Sequence, residues 1–230
     1  MKLSLPQKVL LSMGVVAGIG VLVGAGTFAT FTAQTSNPTN TFANGTLVLS
    51  NTVNSGTACL STGGGTTDVN SNGACSTAFD LSVQAPGDSD TTNITLQNVG
   101  SLPASALKVF SGSCTDSNAS DEDYHGTGSP CAKVQIYIQQ YSDSGFSVPS
   151  ACLYGGGTAT TCNFSDATKT LATFVDSHTD LSEGLSAGSL AALGGADTTW
   201  IKIGVKLPED ADNTYQGRAA SLTLNWHITQ

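Results

Sequence analysis

Six cysteines, Cys59, Cys75, Cys114, Cys131, Cys152 and Cys162, are the most reactive side chains in this chain. No two have C-x-x-C spacing and no histidine stands near them in a ligand pattern, so disulfides are expected rather than a zinc site. Six cysteines allow fifteen connectivities, among which spacing alone does not choose. They nevertheless fall into three local couples inside Gly/Ser/Asn-rich stretches. The expected bridges are therefore Cys59–Cys75, Cys114–Cys131 and Cys152–Cys162, each closing a small loop and adding about 2–4 kcal/mol. The three histidines, His125, His178 and His227, are far apart, and no H-E-x-x-H is present. No G-x-S-x-G or Cys–His pairing supports a nucleophile, so no catalytic residue is assigned. Asp116, Asp121, Glu122 and Asp123 cluster within 114–131 and offer oxygens of the kind Ca²⁺ takes. They lack the D-x-[DN]-x-[DN]-G pattern, so a solvated acidic loop is the ordinary interpretation; Asp210 and Asp212 form a second, weaker candidate. No other cofactor is expected. The sequons at Asn44, Asn93, Asn118 and Asn163 are common by chance in so Asn/Thr-rich a chain.

The elements that must position these residues read as β-structure. Of 230 residues only 11% are charged and 26 are glycine, with many Thr, Val, Ser and Asn. Such a composition favours strands and turns over helices. Alternating apolar residues predict strands over 45–51, 79–83, 92–97, 106–111, 133–141, 198–207 and 219–228, with a shorter one at 171–175. The strands at 79–83 and 92–97 flank a Pro86-Gly87-Asp88 turn and are expected to form a hairpin. The stretches 114–131 and 150–164 read as cysteine-pinned loops. Loosely helical Leu spacing over 181–193 suggests one short helix, weakened by its glycines. Eight or nine strands without helical crossovers predict an all-β, jelly-roll-like β-sandwich with one short helix and disulfide-pinned loops.

The amino-terminal end has a different character. Lys2 and Lys8 flank an apolar run over 9–23, followed by the small residues Gly24-Ala25-Gly26-Thr27-Phe28-Ala29. That order is the signature of a secretory signal peptide, with cleavage expected between Ala29 and Thr30. The run of about fifteen apolar residues falls short of the roughly 20 that a membrane-spanning helix needs. Three segments follow: a signal peptide at 1–29, an extended tail at 30–41 and a β-sandwich domain at 42–230. In the tail Phe31, Ala33 and Thr35 alternate with Thr32, Gln34 and Ser36, so the segment can pair as a strand. The formal charge of −9 becomes −11 once Lys2 and Lys8 leave. Few cations remain, which excludes a basic patch for nucleic acid or anionic lipid.

The segments GAGTFATFT and FANGTLVLS resemble the TasA/camelysin family, whose members are secreted through a SipW-type signal peptidase. The order FDLSVQAPGDSDTTNITLQNVGSLPASALKV and the ending LPEDADNTYQGRAASLTLNWHITQ are similar to that family's strand, PGD turn, strand, N-x-GSL and terminal strand. These blocks cover roughly half of the chain beyond Ala29. The middle, 114–195, has no counterpart, and the three cysteine couples depart from the family pattern. The resemblance implies a secreted jelly-roll subunit of extracellular, biofilm-matrix fibres, in which the tail of one subunit completes the sheet of the next. It implies self-association as a homopolymer, other matrix subunits as further partners, and no membrane contact after cleavage. Two alternatives stay open: a monomeric cell-surface adhesin or glycan-binding module, for which Tyr137 and Tyr141 are surface-aromatic candidates, and a camelysin-type metallopeptidase.

Overall fold

The computed structural model describes residues 45–63, 70–76, 85–120 and 123–230. The chain divides into two units, Met1–Ala43 and Asn44–Gln230, and the second carries the fold. The signal segment, Ala29 and Thr30, the tail residues Phe31, Ala33 and Thr35, the expected strand at 79–83, and Asp121 and Glu122 lie outside the described residues.

The clearest sequence alternations build the larger sheet. β1 (Leu49–Val53) and β2 (Cys59–Leu60) stand at one side of it. β3 (Ser89–Asn98) buries Thr92, Ile94, Leu96 and Asn98. In the second layer, β4 (Ala106–Phe110) and β5 (Cys114–Asn118) follow. β6 (Gln135–Tyr141) sends Ile136 and Ile138 inward, and β7 (Pro149–Tyr154) pairs beside it. β8 (Gly156–Gly157) and β9 (Cys162–Asn163) form a miniature ladder, and β10 (Leu185–Ser186) joins β4. β11 (Thr198–Lys206) buries Thr199, Ile201, Ile203 and Val205. β12 (Arg218–Leu222) and β13 (Asn225–Thr229) close the chain. The large sheet runs β2-β1-β3-β11-β6-β7 and is antiparallel throughout. Over Ile94–Gln97 both sides of β3 are occupied, by β1 and by β11, so the expected hairpin has no free side there.

The second layer is organised around one irregularity. β4 pairs with β13 from Ala106↔Thr229 to Phe110↔Asn225, and β5 pairs with β12 from Cys114↔Leu222 to Asn118↔Arg218. Between the two ladders, residues 111–113 face 223–224, so the extra residue of a bulge falls on the β4–β5 side. Ser111 at this break is fully buried, and its N–H donates to the His178 carbonyl at 3.0 Å. The strand expected over 219–228 is therefore two ladders of one interrupted strand. Its apolar side is continuous: Ala220, Leu222, Leu224, Trp226 and Ile228 all lie against the core. That core joins Ile94, Leu96, Ile136, Ile138, Ile201 and Ile203 of the large sheet to Leu107 and Val109 of β4. The architecture is an all-β, sandwich-like fold.

Two expected elements differ. Residues 171–175 do not form a strand; they lie in a helix, α2 (Leu171–Ser177), which follows the single-turn α1 (Pro130–Lys133) in the chain. Thr170 caps α2, its hydroxyl accepting from the Thr173 N–H while Thr173 Oγ1 accepts from the Thr170 N–H. That reciprocal pair overrides the strand preference of its Thr and Val residues. Leu171, Phe174 and Val175 then share one buried helical face, with Phe174 edge-on to Tyr154 at 5.1 Å. Conversely, 181–193 is not helical. Gly184 and Gly188 punctuate it, Gly188 at a φ of 95°, and β10 pairs with β4 while Leu190 bridges Ala104. The 114–131 stretch, expected as a loop, contains β5 and the start of α1, and 150–164 contains β8, β9 and most of β7.

Buried amides tie this frame together. Asn98 donates to the carbonyls of Leu102 and Ala191 and accepts from Gly100 N–H. Gly100 lies so close to the Thr46 carbonyl that a Cβ would collide with it. This loop receives the start of the described chain: Val99 N–H donates to Val48 and Leu102 N–H to Thr46. Gln139, only 2% exposed, donates to the Ala151 and Thr160 carbonyls and accepts from Cys162 N–H at 2.6 Å. Replacing Gln139 with Leu leaves these backbone groups unsatisfied in a buried site. Urea unfolding of Gln139→Leu is expected to show a loss of about 2–4 kcal/mol.

Candidate functional site

Each histidine serves a local backbone contact or stands alone at the surface. His125 Nδ1 lies 2.8 Å from the Gly217 carbonyl and His178 Nδ1 lies 2.8 Å from the Glu183 carbonyl, while His227 is exposed on β13. Among the described residues no group of three or more His, Cys, Asp or Glu is placed to hold a metal ion. Asp116 Oδ1 accepts from Cys131 N–H at 2.8 Å, so this acid braces a disulfide, and Asp123 is exposed. Asp210 pairs with Lys133 at 2.9 Å. Asp212 caps the turn at Asn213–Tyr215 through Thr214.

The three disulfides join the couples that their spacing suggests: Cys59–Cys75, Cys114–Cys131 and Cys152–Cys162. Their positions have a common logic, because an unpaired sheet edge is a template for another chain. At one side of the large sheet β2 pairs with β1, Ser61 Oγ accepts from Leu49 N–H, and the Cys59–Cys75 bridge holds this strap. At the other side the outer strand β7 is covered by the segment around β8 and β9. Cys152 N–H donates to Ala159, Gln139 reaches the same segment, and Cys152–Cys162 closes it. In the second layer Cys114–Cys131 ties β5 to α1.

One edge differs. In the second layer β10 and β13 flank β4. Leu107 spends its N–H on Gly188 and its carbonyl on Ala187, both on the β10 side. Antiparallel pairing alternates, so Ile228 opposite Leu107 and Trp226 opposite Val109 direct their N–H and C=O groups away from β4. Among the described residues no strand pairs with that outer side of β12 and β13. The residues expected to do chemistry are thus dispersed, whereas backbone groups that sequence patterning did not single out form the most distinctive surface. Only the position of the last alternating strand hinted at it.

The molecule so defined is an all-β, sandwich-like domain with three disulfides, in which no strand among the described residues pairs with the outer sides of β12 and β13. No protein-family model matches the chain, and no curated protein matches it. No helix among the described residues is long and apolar enough to cross a membrane.

Two outcomes follow from these contacts. Replacing both cysteines of the Cys59–Cys75 or the Cys152–Cys162 bridge with Ser is expected to cost about 2–4 kcal/mol in chemical unfolding. It should also increase β-aggregate dye binding, because the strap over an edge is freed; a stability loss without added aggregation would separate the two roles. Acid behaviour is the second. Local donors hold several carboxyls below the usual carboxylate range: Val148 N–H for Asp143, the Thr168 hydroxyl for Asp166, the Ser182 hydroxyl for Asp180, Gly194 N–H for Asp197 and the Thr214 hydroxyl for Asp212. Lowered folded values stabilise the fold above the unfolded carboxyl pKa and lose that effect as pH falls through the folded ones. The melting temperature should hold from neutrality down to about pH 4 and fall below it.

Proposed function

We propose that this protein is a secreted structural subunit, without catalysis, that polymerises into extracellular fibres. The tail at 30–41 of one copy adds as a strand to the next copy. The observation that supports this reading most directly is the outer edge of β12 and β13, with which no strand among the described residues pairs, in a domain whose large sheet has both edges strapped by disulfides. Strand addition supplies affinity through backbone hydrogen bonds and specificity through alternate side chains. The alternation of Phe31, Ala33 and Thr35 suits such a strand. A head-to-tail contact of tail on edge does not close, so it propagates a filament. Disulfides fit an exported chain, and the dispersed histidines offer no shared site for catalysis.

Negative-stain electron microscopy of the protein beginning at Thr30, beside a version lacking 30–41, tests this. Filaments from the first and folded monomers from the second are the expected result. Folded monomers from both, across salt and pH, would overturn the fibre reading in favour of a monomeric adhesin.

A further inference from the structure

The outer face of the large sheet carries a cluster that strand addition does not use. Register places Thr95, Trp200 and Tyr141 side by side across β3, β11 and β6, with Asn93, Lys202 and Gln139 in the adjacent row. These positions alternate with the buried Ile94, Ile201 and Ile138, so they belong to the opposite face. The Phe146 ring meets Tyr141 edge-on with centroids 5.8 Å apart. Lys202 Nζ stands 4.9 Å from the Tyr141 centroid and 6.0 Å from that of Phe146. Trp200, Tyr141, Phe146 and Lys202 are all half-buried, so each keeps part of its surface open.

The cluster is held by design of the adjoining loop. Phe146 has a φ of 52°, a left-handed backbone that bulky L-residues avoid. Asp143 enforces it: its carboxylate accepts from the N–H groups of Gly145, Ser147 and Val148 and from the Ser147 hydroxyl. A strained residue kept in place by a rigid surround is characteristic of a ligand site.

Charge indicates what the face takes. Lys133 and Lys206 are paired with Asp210 and Glu209, and Lys108 binds the carbonyls of Leu181 and Ser182. The Lys202 side chain has ring contacts alone and no hydrogen bond or ion pair among the described residues. Its register neighbours are the amides of Asn93 and of Gln139, the latter buried beneath the segment around β9, and Thr95 in the next row brings a hydroxyl; none is a carboxylate. Asp143, close in sequence, already has its oxygens occupied by its own loop. In a chain of net charge −9 the two rows around Lys202 thus carry an ammonium and no carboxylate; the nearest acid on this face, Asp197, is held one row away by Gln97 and Thr198.

We propose that this face binds an acidic polysaccharide. The rings of Trp200, Tyr141 and Phe146 receive the apolar C–H faces of the sugars, Asn93 and Thr95 meet hydroxyls, and Lys202 pairs with a uronate carboxylate. The site stands on geometry separate from the open edge and does not depend on polymerisation.

Affinity electrophoresis of the full chain tests it, in gels containing polygalacturonate or neutral dextran. The protein should be retarded by polygalacturonate and not by dextran. Lys202→Gln and Phe146→Gly should each weaken the interaction by about tenfold or more, while Lys206→Gln, outside these rows, should not. Phe146→Gly removes the ring and suits the left-handed backbone, so its melting temperature should stay at or above that of the parent. Absence of retardation, equal retardation by dextran, or unchanged binding by the folded Lys202→Gln variant would each overturn the proposal.

Discussion

Every open β-sheet terminates in peptide groups that its own strands cannot pair, and in this domain the treatment of those groups organises much of the rest. The large sheet covers β1 with β2 and β7 with the segment around β8 and β9, and each cover is fastened by a disulfide. The covers are short and poor in apolar residues, so packing alone would hold them weakly. Covalent fastening removes their freedom in the unfolded chain instead, which suits loops so rich in Gly, Ser and Thr. The apolar core can then be built away from these covers, from Ile and Leu residues of β3, β11 and β6 packed against Leu107 and Val109 of β4 and Phe174 of α2.

How much of this could be read in advance depended on the range of the interaction. Strands β3, β6 and β11 are legible because alternation is local and their β-branched residues serve the same end as their tertiary context. The disulfide couples are legible for a related reason: each joins residues close in sequence, separated by 10 to 17 positions. The helix α2 is not legible from propensity. Thr173 and Val175 argue for a strand, and only the side-chain contact between Thr170 and Thr173 tips the balance. The glycine-bearing 181–193 stretch misleads in the opposite sense, since its Leu spacing serves packing of β10 and Leu190 rather than a helical face. The edge of β12 and β13 that no described strand pairs, the bulge at Ser111 and the aromatic cluster at Tyr141 depend on which strand becomes whose neighbour, and no single stretch of sequence encodes that.

The polar interior follows the same division. Asn98 and Gln139 are buried because each replaces a missing piece of backbone ladder, one where the chain enters the sheet and one beneath a disulfide-closed loop. In the alternating pattern Gln139 looks like an ordinary solvent-facing position, whereas Asn98 falls in phase with Ile94 and Leu96 at the end of its strand, where a polar residue reads as the start of a turn. Their amides offer donors and an acceptor on one planar group, which lets a single side chain satisfy peptide groups from separate segments. The few charges work at the surface, mostly as aspartates capping their own loops, so the acidic character of the chain also rigidifies its connections.

The bulge between the ladders of the second layer has a geometric result beyond bending the strand pair. Its extra residue sits in the inner strand, between Phe110 and Cys114, and not in the outermost one. From Ala220 to Ile228 the outer strand therefore keeps an unbroken two-residue rhythm, with Leu222, Leu224 and Trp226 in phase. The irregularity is absorbed where the domain is already paired. Whatever chain approaches from outside meets a template of uniform pitch, and a one-residue slip along it would turn every inward side chain of the newcomer toward solvent.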